Sequence, residues 1–443
     1  MGRLLQSNRD ILFVALLSLV VRVLAIVPVH ANGYTSDERE YIYMAGRLAA
    51  GDEFIDSNGE RSTRAPLFPY VLSVTLRVFG NDLFIPYLVG CLFGTAVVIL
   101  TFVLTMYIWG DRASALIASA ATALYPGLVI YSSVLQTETL YIMFMLTALL
   151  FAVKMIESPT LVDAIVLAAA SGLASLTRAV FLGFFPLLLL LIGWSRWREG
   201  KTGAGKLLAV AFAVWVLVLS PWTIRNYNIH GILIPVSSGS GNSLLTGNNP
   251  FATGTWRLED GFGHWFQEKA NERGIGNIAD LSEIDRNSLS GEIALSYIAS
   301  NPGHVLYLAV KKAYMFWIFP ITNSDSNIPL QAVATGAEFV LYIGTVVGIV
   351  AAWNQRRRMI PIWGAALIFF MIQVVLHCES RFRLPLTPLI CLSFGLGSSI
   401  LLDRRRRGEL LASQRNRVAI ALLSTVVILA YGFAGWLFLR GII

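Results

Sequence analysis

Long apolar runs follow one another along the chain, separated mostly by short polar segments. The runs cover residues 11–29, 83–108, 113–132, 138–155, 162–178, 180–194, 207–223, 332–352, 360–376, 384–402 and 418–439. A helix crosses a ~30 Å hydrocarbon core with about 20 mostly apolar residues. Only helices and closed barrels satisfy their own backbone polar groups there. The pattern predicts an all-α polytopic membrane protein, a single transmembrane domain over residues 1–443 with about 11 transmembrane helices. Two polar segments are long: residues 30–82, and residues 223–331 between spans 7 and 8. Long polar loops in a compact protein are usually functional or disordered, and neither of these reads as disordered. Asp37 to Ala50 has a helix start followed by an apolar face at Tyr41, Met44 and Leu48. Pro66 to Phe79 is amphipathic. The second loop holds a Gly/Ser/Asn-rich part, Ser237 to Gly254, and a helical stretch near Asp285 to Ser300. His304 to Phe319 is apolar but carries Lys311 and Lys312, which suits an interfacial helix at the membrane surface.

Composition agrees: 56% of the residues are hydrophobic and 14% charged, where a soluble domain carries about a quarter charged. The net charge of +7 comes from short loops. Arg196, Arg198, Lys201 and Lys206 form one cluster, Arg356 to Arg358 a second, and Arg404 to Arg407 with Arg415 and Arg417 a third. Such loops mark the cytoplasmic face, so the charge reports topology and no nucleic-acid partner is expected. With the N-terminus inside, every basic short loop is cytoplasmic, both long loops are extracytoplasmic and the C-terminus lies outside. If His304 to Phe319 spanned, the later Arg-rich loops would move outside. The first apolar run is long for a signal core and is expected to stay as an anchor. Cys91, Cys378 and Cys391 suggest neither a disulfide framework nor a metal site, and the five histidines lack ligand spacing.

Five short outer segments carry candidate chemistry. In Thr35-Ser36-Asp37-Glu38, two adjacent carboxylates stand at a helix start. They could include a general base, but on position alone they read as capping acids, which suit a helix N-terminus; a cap explains Glu38 better than it explains Asp37. Arg64 precedes Pro66 at the next helix start, where a phosphate would meet both a guanidinium and the helix's positive end, or where the arginine would anchor lipid head groups. Glu138, in Gln136-Thr137-Glu138, enters an apolar helix, a costly place for an acid unless it is paired or faces a cavity; the other reading is an acid that suits a helix N-terminus. Arg178 and Arg225 run against the positive-inside trend, as do Arg381 and Arg383, which flank Phe382. Those two could grip a phosphate or anchor anionic lipids.

These segments, in this order and on one face, resemble the GT-C superfamily of integral membrane glycosyltransferases, in the branch of protein O-mannosyltransferases and bacterial aminoarabinose transferases. The likeness runs over nearly the whole chain. It rests on Asp37-Glu38, Arg64-Ala65-Pro66-Leu67-Phe68-Pro69 and Leu176-Thr177-Arg178. Pro221-Trp222-Thr223-Ile224-Arg225-Asn226, Gly247-Asn248-Asn249-Pro250 and Arg381-Phe382-Arg383-Leu384-Pro385 complete it. The resemblance implies a GT-C fold and an inverting hexosyl- or pentosyltransferase of the plasma (inner) membrane. It would move a sugar from a polyprenyl-phosphate donor to a hydroxyl on a glycan, lipid or protein acceptor, with an extracytoplasmic active site. It implies Asp37 as catalytic base, and Glu38, Arg64, Glu138, Arg178, Arg225, Asn248, Arg381 and Arg383 as substrate contacts. Arginines alone can neutralise the phosphate product, so neither cofactor nor metal is implied. Aminoarabinose transferases add a C-terminal soluble domain and eukaryotic mannosyltransferases a large luminal insert; the sequence is closest to compact bacterial members. The competing expectations are a polysaccharide ligase or polymerase using a lipid-pyrophosphate donor, and a transporter. The latter would show inverted repeats and midplane charges.

Overall fold

The structure, a computed structural model, describes residues 2–30, 33–80, 82–200, 203–318, 328–353 and 356–439. Lys201, and the end of the expected interfacial helix at Phe319 with the chain through residue 327, lie outside the described residues. The helices in order are α1 (Gly2–Val29), α2 (Ser36–Ala50), α3 (Leu67–Phe79), α4 (Phe84–Trp109), α5 (Arg112–Leu124), α6 (Pro126–Ser132) and α7 (Glu138–Glu157). They continue with α8 (Leu161–Thr177), α9 (Phe181–Trp197), α10 (Gly205–His230), α11 (Ser240–Gly247), α12 (Phe262–Asn271), α13 (Glu283–Ser300) and α14 (Pro302–Ile318). The last are α15 (Ile328–Ala352), α16 (Arg356–Val375), α17 (Thr387–Leu402), α18 (Arg404–Ala412) and α19 (Gln414–Leu439), with a 3₁₀ turn at Ser380–Leu386 leading into α17.

The fold is all-helical, as the apolar pattern required. Eight described helices are long and apolar enough to cross a membrane: α1, α4, α7, α10, α15, α16, α17 with its leading turn, and α19. The pair α5–α6, read from sequence as one run, makes nine if it is a single span; it bends by 58°. The bend has a local cause. Tyr125 precedes Pro126, and the proline ring drives its neighbour out of the α region; Tyr125 is extended and Pro126 opens α6. The expected spans 162–178 and 180–194 are filled by α8 and α9, of 17 residues each. At 1.5 Å per residue each covers about 25 Å, short of the ~30 Å core. Eight or nine full-length spans with two shorter apolar helices thus stand where eleven were expected.

The centre of the bundle is α7, most of which is buried, packed between α4 and α8. The second centre is α17, which lies against α15 and α5. Glycine permits that closeness. A Cβ on Gly348 would sit 1.8 Å from the Ser393 carbonyl oxygen, and one on Gly397 would sit 2.1 Å from that of Gly344. Small residues at helix crossings let backbones approach in a bilayer, where dispersion rather than hydrophobic exclusion drives packing.

Two buried cations are held by carbonyl and hydroxyl oxygens. Arg22, inside the first span, donates to Ser18 Oγ at 2.6 Å, to the Ala123 carbonyl at 3.0 Å and to that of Thr122 at 3.4 Å. These are carbonyls left open where α5 stops, so the arginine closes the broken helix. Lys312 in α14 was expected at the membrane surface. It instead faces the protein, donating to Leu376 O at 2.7 Å, Gly247 O at 3.2 Å and Asn248 Oδ1 at 3.4 Å. The open carbonyls at the ends of α11 and α16 draw it inward, and burial pushes its amine down to about 8.

Candidate functional site

Helix ends and the turns that join them assemble the site around Asp37. Thr35 caps α2: its hydroxyl accepts from Glu38 N at 3.2 Å, and the Glu38 carboxylate accepts from Thr35 N at 3.0 Å. This capping box fixes the first turn, so Asp37 stands at the second helical position with its backbone held. The apolar face of α2 then docks, Met44 and Leu48 meeting Phe54 and Trp222 of α10. Each such side chain contributes about 1.5–3 kcal/mol by burial.

Two guanidinium groups converge on Asp37 from distant segments. Arg381, on the 3₁₀ turn, donates to Asp37 Oδ2 at 2.7 Å; Arg64, just before α3, reaches Oδ1 at 3.5 Å. Burial disfavours the Asp37 charge, but Arg381 and then Arg64 outweigh it and hold the carboxyl below its ordinary range. Arg381 Nη1 also donates to Gln136 Oε1 at 3.2 Å, and the Gln136 amide donates to Thr35 Oγ at 2.9 Å. Glu138 is almost fully buried and pairs with Arg178 at 2.9 Å, which meets the requirement for a partner. The Phe382 ring lies against both Arg178 and Arg381, at 5.2 and 5.7 Å from ring centre to guanidinium carbon. Arg64 likewise lies over Tyr41 at 5.7 Å.

Asp37, Arg64, Glu138, Arg178 and Arg381 therefore gather from five separate segments. Glu38 lies beneath them, accepting from Leu135 N at 3.1 Å and facing His30 Nε2 at 3.0 Å. The other three predicted contacts make different partners. Arg383 does not join Arg381 on either side of Phe382. It is buried and paired with Glu338 at 2.5 Å, and Tyr125 Oη donates to the same carboxylate oxygen at 2.6 Å. Two positions along a tight turn carry the side chains to different partners. Arg225 stacks over Trp222 at 4.4 Å and donates to the Arg61 and Phe54 carbonyls at 2.6 and 3.0 Å, bracing the segment between α2 and α3. Asn248 donates to Leu244 O and Val375 O, alongside Lys312.

Sequence reasoning passed over Gln136, although it stood in a quoted motif. It missed Glu338, for which an acid inside an apolar run was the available signal. Nothing in the sequence marked His30. A polar cavity of about 600 Å³, lined by Asn58, Glu60, Arg61, His230, Glu283 and Arg286 among others, shares no lining residue with the Asp37 cluster. Among the described residues, no three His, Cys, Asp or Glu side chains group as a metal cage.

Residues 63–224 match the family described as dolichyl-phosphate-mannose-protein mannosyltransferase. The archaeal oligosaccharyltransferase AglB from Archaeoglobus fulgidus, solved with an inhibitory peptide and a dolichol-phosphate, is similar in structure. Its TM-score is 0.56 at 16% identity, over 96% of this chain and 55% of AglB. The chain thus spans about half the length of that relative. ArnT from Cupriavidus metallidurans bound to undecaprenyl phosphate gives a TM-score of 0.39 at 16% identity, over 90% of this chain and 78% of ArnT. No curated protein matches. The likeness to AglB establishes the GT-C membrane fold, and with the apolar helices it makes the chain a multi-pass membrane protein.

Proposed function

We propose that the chain is an inverting glycosyltransferase of the plasma membrane that moves a sugar from a polyprenyl-phosphate donor to an acceptor hydroxyl on the extracytoplasmic side. The observation that carries this reading is the Asp37 carboxylate set between Arg381 and Arg64. Together they supply a base and two phosphate-binding forks within one contact distance. The family match and the dolichol-phosphate named with AglB support it. Asp37 takes the proton of the acceptor hydroxyl as its oxygen bonds to the anomeric carbon. The bond from that carbon to the phosphate oxygen breaks, and the electron pair leaves on polyprenyl phosphate. Arg381 and Arg64 neutralise the leaving phosphate. Glu138 and Arg178 line the sugar side, and Glu38 holds the helix start. Arg225, Asn248 and Arg383 support the site through the loops they brace.

The test is Asp37→Asn assayed for transfer from polyprenyl-phosphate sugars in detergent. Loss of general-base help is worth about 10²–10⁴-fold. Near-normal turnover would remove Asp37 as the base, and consumption only of pyrophosphate-linked donors would replace the donor class.

A further inference from the structure

Both oxygens of Asp37 are spent on guanidinium groups, Oδ2 on Arg381 and Oδ1 on Arg64. Those are the groups that the proposed function needs for the donor phosphate. The arginines are each fixed by a second contact: Arg381 by Gln136 and the Phe382 ring, Arg64 by the Tyr41 ring. Gln136 is fixed in turn by Thr35. Arg178 is paired with Glu138 and acts on Asp37 through its charge without hydrogen-bonding to it. Asp37 differs. Its backbone is locked by the capping box, but among the described residues its short side chain hydrogen-bonds only to the two arginines. In this cluster it is the group that can turn away while the rest stays.

We propose that the resting site is masked by its own base: Asp37 occupies the phosphate positions of Arg381 and Arg64, and an incoming prenyl-linked phosphate displaces it. This deepens the proposed function and rests on it. An ion-paired carboxylate is a poor proton acceptor, since its charged form is already stabilised. Displacement restores its basicity at the moment the donor is seated. The acceptor hydroxyl is thus deprotonated only when an anomeric carbon is there to receive it. The depressed range of the Asp37 carboxyl beside Arg381 and Arg64 fits this order.

The masking makes an inverted expectation for a base-removing variant. Asparagine keeps the size of Asp37 but no longer competes for the arginines. Undecaprenyl phosphate, titrated into the full-length protein in maltoside micelles, should bind Asp37→Asn about 10–100-fold more tightly than the wild type, the scale of one or two charge-assisted hydrogen bonds regained. In an Arg381→Gln background that gain should shrink severalfold. Thermal unfolding of each variant verifies that the fold persists. Equal or weaker binding by Asp37→Asn, with wild-type binding still dependent on Arg381, overturns the masking and leaves the phosphate site standing. Binding indifferent to Arg381→Gln overturns both. Inorganic phosphate is the second probe: failure to displace the lipid supports a prenyl-linked occupant, and full displacement overturns it.

Discussion

The pair Glu338–Arg383 offers a sharp test of how the Arg381 turn is held. Both side chains are almost wholly inaccessible, 2% and 1% exposed, with their charges 2.5 Å apart. Tyr125 donates to the same carboxylate, and Arg383 also donates to the Phe316 carbonyl. Glu338→Gln keeps the shape and an acceptor for Tyr125 but strips Arg383 of its counter-charge. Removing one partner of a buried pair costs about 3–5 kcal/mol, because the remaining charge stays desolvated. Arg383→Met should cost a similar amount by taking this guanidinium from the buried Glu338 charge. The double variant Glu338→Gln/Arg383→Met leaves no charge behind, so its destabilisation should fall well below the sum of the singles, with a coupling of about 3 kcal/mol. Denaturant or thermal unfolding of the four proteins in one detergent gives the cycle. Arg381 is two residues from Arg383, so each single variant should also lose transfer activity, and the double should regain part of it. Additive single effects would refute the claim that the pair is desolvated and coupled.

Gly348→Ala puts a methyl group 1.8 Å from a backbone oxygen that cannot swing aside, and a loss of about 1–3 kcal/mol is expected in thermal unfolding; Gly408→Ala, on a helix with nothing nearby, should instead gain about 0.5–1 kcal/mol. Thr35→Ala removes the cap of α2 and the acceptor of Gln136, with an expected cost of about 1 kcal/mol and a reduced kcat/KM in the transfer assay. Asp37 has a folded pKa below its unfolded value, so its contribution to stability is full above about pH 4 and is lost as pH falls through the folded value. The stability advantage of wild type over Asp37→Asn should shrink in that acid window and stay flat above it; an advantage that grows on acidification would contradict the ion-pair geometry.

The spans were legible because a bilayer imposes one length on every helix, and runs such as 83–108 and 138–155 meet it without help from tertiary contacts. The break at Tyr125 was also written, in Pro126, but an unbroken apolar run of the right length masked it. Asp37 was legible as a candidate from its place at a helix start and from the family resemblance, and Arg381 because a basic residue there ran against the expected positive-inside pattern. Which arginine meets Asp37 was not legible. Arg381 and Arg383 have identical chemistry, and only the turn geometry together with Glu338 on α15 separates them. Lys312 shows the same limit. A lysine on an apolar helix reads as a surface residue unless the open carbonyls of other helices are known.

The arginine that closes the broken helix has a consequence for how the chain is made. Arg22 lies about a hundred residues ahead of the Thr122 and Ala123 carbonyls it binds, so its span is synthesised before theirs. An arginine near the middle of a span costs about 2.5–3.5 kcal/mol at insertion, against about 0.3–0.6 gained per Leu, Ile, Phe or Val. The strongly apolar first span, with Leu16, Leu17, Leu19 and Val20 close by, outweighs that alone. Until α5 arrives, Ser18 on the same helix is the ready local partner for the guanidinium. When α5 follows, the donor that meets its open carbonyls is already present on α1.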